Sequence, residues 1–156
     1  MKTLILGIGN PILQNDSIGL RVADELEKSV KDPEVDVDTA YTGGLNLVDC
    51  MRGFEKVILI DAVKDAQAIG TVSRFTLTTL PLGHSCNLHD CSLPEALQFS
   101  KALGDTNLPR EVVVIGISVP MPEEFGEDLS PEAKDAIPRA VDMVLAELPS
   151  TMRRRS

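Results

Sequence analysis

Tryptophan is missing from this chain, and one Tyr and four Phe are its whole aromatic content. So few rings leave no stacking platform of the kind that single-stranded nucleic acid requires. Positive charge is also scarce. Lys and Arg total 15 against 24 Asp and Glu, and three of the cations are Arg153, Arg154 and Arg155. The body up to Thr151 therefore sets 12 cations against 24 anions, a balance of −12. Such a body repels phosphate backbones, so no nucleic-acid partner is expected. It suits a cationic partner segment or a metal ion. No apolar run approaches the roughly 18 residues of a membrane span, so no membrane partner is expected either. The three Cys (Cys50, Cys86 and Cys91) are an odd number and cannot all pair. The N-terminal stretch Met1–Asn10 lacks the longer apolar region and small-residue cleavage site of a signal peptide. Together these predict a reducing, cytoplasmic setting.

What is present is ordinary for a folded domain: 156 residues, 43% hydrophobic and 25% charged. That length buries a substantial core without disulfides. One domain is expected over residues 1–150, with 151–156 a frayed, disordered basic tail.

Apolar runs alternate with helical patterns. Thr3–Ile8, Lys56–Ala62 and Glu111–Ser118 read as buried strands. Val35–Tyr41 alternates like a further strand, and Thr71–Leu77 like an amphipathic edge strand. Helical spacing covers Asp16–Val30, with Leu20, Ala23, Leu26 and Val30 on one face. A short helix is expected over Leu45–Met51 and a longer one over Leu93–Leu103, where Ser92 and Glu95 match a capping box. The last helix opens with Ser130 as N-cap and Pro131 at its first position, and Pro138 should kink or divide it. Residues 78–91 and Pro120–Asp128 are left as loops. This alternation predicts an α/β fold with a mostly parallel twisted sheet of about five strands and helices on both faces. Ligands bind such sheets beyond the carboxyl ends of the strands, where strand order reverses. With an order beginning 2-1-3, residues Asn10–Asp16 and Asp61 converge there.

Gly7-Ile8-Gly9-Asn10-Pro11 invites a dinucleotide reading, but the third small residue of that fingerprint falls on Ile12, too large for close helix–strand packing. Asp16 at a helix start has a plain role as N-cap, and Asp61 as a loop-start acid. Two acids at neighbouring strand ends, however, repel unless a cation or proton lies between them. The only two His, His84 and His89, share a loop with Cys86 and Cys91. These residues offer zinc-type ligands at a spacing that matches no ordinary zinc ribbon or finger. Alternatively, one His joins Asp16 and Asp61, and His89, nearer the following helix, is the better placed. Two carboxylates and an imidazole suit a divalent transition ion with open positions. A Cys–His pair from Cys86 or Cys91 is a further possibility on paper. Cys50 sits in a helical pattern and is expected in the core. Glu123, Glu124, Glu127 and Asp128 read as a solvated loop able to meet a basic peptide.

The stretch Leu4–Gly19, with its Gly7-Ile8-Gly9-Asn10 and Asp16 followed by Gly19, resembles the opening of the nickel–iron (NiFe) hydrogenase maturation proteases. The resemblance continues through Thr42-Gly43-Gly44, Val57–Ala62, His89 with Leu93 and Leu97, Gly116-Ile117 and Leu129-Ser130-Pro131. It implies a three-layer α/β/α sandwich. It also implies an endopeptidase that removes the C-terminal extension of a hydrogenase large-subunit precursor after nickel insertion. The family's metal-contacting residues match Asp16, Asp61 and His89, which would be both the catalytic and the metal residues. The nickel would come with the substrate, and zinc or cadmium could stand in for it. Many members carry two successive acids where this chain has Asn15-Asp16; the metal-contacting one is the second. Gly7–Pro11 also looks like the start of bacterial peptidyl-tRNA hydrolase, but that family's following Thr-Arg-His-Asn segment is absent here. A non-proteolytic metal-binding or chaperone module is the other alternative.

Overall fold

A computed structural model of the chain describes residues 2–9, 17–41, 45–63, 67–79, 93–119 and 129–149. Its elements are β1 (Thr3–Ile8), α1 (Ile18–Ser29), β2 (Val35–Ala40), α2 (Leu45–Met51), β3 (Lys56–Val63), β4 (Val72–Thr76), α3 (Leu93–Ala102), β5 (Glu111–Ser118) and α4 (Pro131–Ala146). The five strands form one sheet in the order β2-β1-β3-β5-β4. All neighbours pair in parallel except β4, which runs antiparallel to β5 at the edge. The central strands are continuous apolar runs because both of their faces are covered. Edge strand β2, Val-Asp-Val-Asp-Thr-Ala, alternates because it is only half covered.

Strand parity divides the core in two. Ile5, Ile58, Ile60 and Ile115 face α1 and α4, packing on Val22, Leu26, Ala136 and Ala140. Leu4, Leu6, Leu59 and Val114 face α2 and α3, packing on Leu47, Met51, Leu93 and Ala96. The result is the expected three-layer arrangement. Among the described residues no helix is long and apolar enough to cross a membrane.

Three local expectations change. Helix α1 begins at Ile18, two residues later than expected, with Ser17 in the N-cap position; Asp16 lies outside the described residues. Cys50 is exposed, not buried. The inward face of α2 is taken by Leu47, Val48 and Met51, at spacings of one and four residues, which turns Cys50 outward. Helix α4 runs undivided through Pro138. Ala133, Ala136, Ala140 and Val144 seat it in the core while Pro138 lies on the exposed side. That burial outweighs the roughly 3 kcal/mol that an internal proline costs a helix. Its start is as expected, with the Ser130 hydroxyl accepting from the Ala133 N–H at 3.3 Å.

Candidate active site

Strand order reverses between β1 and β3, so the crevice of this sheet lies beyond their carboxyl ends. Asp61 sits there. It is the sixth residue of β3, paired with Gly116 of β5, and lies one step past Ile60, the last β3 residue to pair with β1. It is completely buried and takes part in a polar interaction. A carboxylate is almost never fully buried without a partner. Alternation along β3 turns its side chain to the α2/α3 layer, with Val57 and Leu59.

The wall beside Asp61 is built by a missing side chain. A Cβ on Gly116 would lie 2.5 Å from Val63 Cγ2 and 2.8 Å from the Phe75 ring. Glycine at this register position lets Val63 and Phe75 close over the strand next to the acid. Ser118, two residues further, is buried on the same face and pairs with Val63.

The other flank is set by two more glycines. A Cβ on Gly19 would overlap the carbonyl oxygens of Ile8 and Ile60 and lie 3.1 Å from the Ile60 carbonyl carbon. One on Gly7 would overlap the Gly19 oxygen and lie 2.7 Å from Ala23 Cβ. The first turn of α1 therefore rests directly on the ends of β1 and β3. Its N-cap Ser17 is 3% exposed and makes no side-chain capping bond, though it has another polar partner. The positive end of the α1 dipole is thereby brought to the crevice. Spacing alone does not disclose the Gly7–Gly19 contact. Its one sequence signal is a glycine one residue inside a helix, where it costs stability unless backbone must approach closely.

Of the three expected site residues, Asp61 alone is described; Asp16 and His89 lie outside the described residues, as do His84, Cys86, Cys91 and Glu123–Asp128. No group of three or more His, Cys, Asp or Glu able to hold a metal occurs among the described residues. A strongly paired carboxylate, Glu147, lies away from Asp61, beside the first residue of β3. Arg74 Nε donates to the Glu147 carboxylate at 2.6 Å, and Lys56 Nζ donates to it at 3.3 Å and to the Glu147 carbonyl oxygen at 2.8 Å. The Arg74 hydrogen bond, more than the Lys56 one, holds the Glu147 carboxyl below its ordinary range, against the opposing effect of burial. This pairing ties the end of α4 to β3 and β4, and it is a clamp, not a reacting group.

Residues 20–147 match the HycI family model, hydrogenase maturation protease. The coenzyme F420 hydrogenase subunit delta of Methanothermobacter thermautotrophicus is 32% identical over 158 residues, covering 94% of each chain. The hydrogenase expression/formation protein HupD of Thiocapsa roseopersicina is 31% identical over 151 residues, covering 94% of this chain and 67% of that one. Among solved structures, the hydrogenase maturating endopeptidase HybD from E. coli superposes with a TM-score of 0.76 at 27% identity, covering 94% of this chain and 91% of that one.

Proposed function

The chain belongs to the hydrogenase maturation protease family, and from that membership we propose that it removes the C-terminal extension of a nickel–iron hydrogenase large-subunit precursor once nickel has been inserted. As a member of that family it is a peptide-bond hydrolase. The observation that carries the finer reading is Asp61, a carboxylate fully buried at the crevice where β1 and β3 part.

Asp16 and His89 join it in this proposal. Asp16 immediately precedes Ser17, whose helix turn rests on the carbonyls of Ile8 and Ile60. His89 precedes by four residues the fully buried Leu93, which packs in the α2/α3 layer that Asp61 faces. Four residues of chain span at most about 14 Å, short enough for both to reach the rim above Asp61. Two carboxylates and one imidazole suit a divalent ion of the nickel type and leave positions for the substrate's own ligands. In this scheme the nickel is cargo of the precursor, and the three side chains recognise it by completing its coordination. Such an ion polarises a carbonyl or lowers the pKa of a bound water. The protein's part is to hold the precursor's C-terminal segment within reach of the rim.

The test is incubation of nickel-loaded precursor with wild-type protein and with the Asp16→Asn, Asp61→Asn and His89→Ala variants, products being weighed by mass spectrometry. Wild-type protein releases the extension and each variant fails to, while thermal melts report that the variants are folded. Unimpaired release by all three folded variants sinks the proposal.

A further inference from the structure

A groove of about 850 Å³ runs along α3, between that helix and the end of the sheet where β4 finishes and β5 begins. Clefts of roughly 300–1,000 Å³ take ligands larger than a single side chain, so this one has room for a short peptide segment. Its apolar wall is formed by Leu77, Leu97, Leu108 and Pro109. The three leucines are half-buried against the α2/α3 core, which makes the groove an open flank of that core.

Its charge sets it apart from the acidic body. Lys101 and Arg110 line it, and among the described residues neither has a carboxylate partner. Lys2, Lys28, Arg52, Lys56 and Arg74 are paired with carboxylates, whereas Lys31 and Arg139, on other faces, donate to backbone carbonyls. The two acids in the same lining are committed: Asp105 to Arg52 and to the Asn107 N–H, and Glu95 to a polar interaction of its own. The groove thus offers apolar surface with two cations held in no ion pair, in a chain of net charge −9. Screening over about 8 Å at physiological salt keeps the distant acids from cancelling them.

We propose that this groove docks an apolar segment of the precursor that carries acidic side chains. The proposal rests on the protease reading above and extends it to how the substrate is held. Position supports it. The foot of the groove is at Val112, which pairs with Val57, four residues and roughly 13 Å down β3 from Asp61. Its head is at Pro94 and Glu95 in the first turn of α3, in the layer that Asp61 faces. A segment lying along it leads toward the rim. Its leucines and cations meet complementary groups while the scissile bond is elsewhere, so the groove contributes to binding and not to the chemical step.

The experiment compares wild type, the double reversal Lys101→Glu/Arg110→Glu and the conservative pair Lys101→Arg/Arg110→Lys. Each is assayed for processing of nickel-loaded precursor at low and high salt, and for binding of labelled precursor by fluorescence anisotropy. The reversal raises KM roughly ten-fold while kcat holds, and flattens the salt dependence that wild type shows. The conservative pair keeps the wild-type KM. An unchanged KM and salt response in the reversal overturns the proposal, as does a fall in kcat alone. Loss of a wild-type dimer with no change in KM also overturns it, because the groove then covers a second copy. If wild type binds precursor but leaves it uncut, the protease reading falls separately. Weaker binding by the reversal still supports the groove in that case, and equal binding overturns it.

Discussion

The α-carbon of Gly19 and the carbonyl oxygen of Ile60 pack so closely that a single methyl group between them has nowhere to go. Ile60 immediately precedes Asp61, so this contact fixes the height of the first helix over the acid. A Gly19→Ala change sets a methyl group against two backbone carbonyls, of Ile60 and Ile8, neither of which can rotate away as a side chain would. The expected cost is about 3 kcal/mol, at the upper end for overpacking. Urea unfolding measures it, and a loss under about 0.5 kcal/mol would show that α1 lifts freely from the strand ends.

Processing is expected to depend on the Asp61 charge and not merely on its bulk. Asp61→Asn keeps the size and should lower cleavage at least roughly a hundred-fold, the scale of a lost catalytic electrostatic contact. Precursor prepared without nickel should resist wild-type protein to a similar degree. Equal cleavage of nickel-free and nickel-loaded precursor would remove the metal from the recognition step.

The Glu147 clamp predicts a pH dependence of stability. Its folded carboxyl titrates below the ordinary 4.5 because Arg74, then Lys56, favour the charged form. The native state therefore binds that proton more weakly than the unfolded chain does. The contribution is complete above 4.5 and is lost as pH falls through the lower, folded value. Glu147→Gln should cost about 1–2 kcal/mol at neutral pH, discounted for the half-exposed Arg74. The gap between variant and wild type should narrow as pH falls below 4.5 in urea titrations. A gap independent of pH would assign the loss to packing.

Cys50 is exposed, yet its thiol is held above its ordinary value of 9.0, first by partial desolvation and then by Asp38 and Asp49. Alkylation at Cys50, followed by peptide mass mapping, should be slow at neutral pH and accelerate as pH passes 9. Replacing both acids by Asn should speed the reaction about two- to five-fold at mildly alkaline pH. Fast labelling of the unaltered protein at neutral pH would contradict this.

Much of the architecture was legible in residue order because burial leaves a local trace. The runs in β1, β3 and β5 are apolar throughout, as strands covered on both faces must be, and β2 alternates as an edge strand does. Ser130 followed by Pro131 marked the start of α4 for the equally local reason that helix ends need caps. Asp61 stood out as the one acid in an apolar run, although β3 continues past it to Val63 and it does not start a loop. The errors fell where local pattern and packing compete. Pro138 carried a helix-breaking signal that core contacts three and four residues apart overrode. Cys50 had a helical setting, but a seven-residue helix has one inward face, and Leu47, Val48 and Met51 filled it.

Side-chain pattern, then, was enough to specify strands, helices, the acidic surface and the lone acid within β3, since each depends on neighbours along the chain. The tertiary structure alone decided that Gly7 seats Gly19, that Gly116 makes room for Val63 and Phe75 beside Asp61, and that Lys101 and Arg110 share one groove. Those relationships join residues far apart in sequence. They are set by interstrand register and by how closely a helix can approach a sheet, quantities that no periodicity encodes.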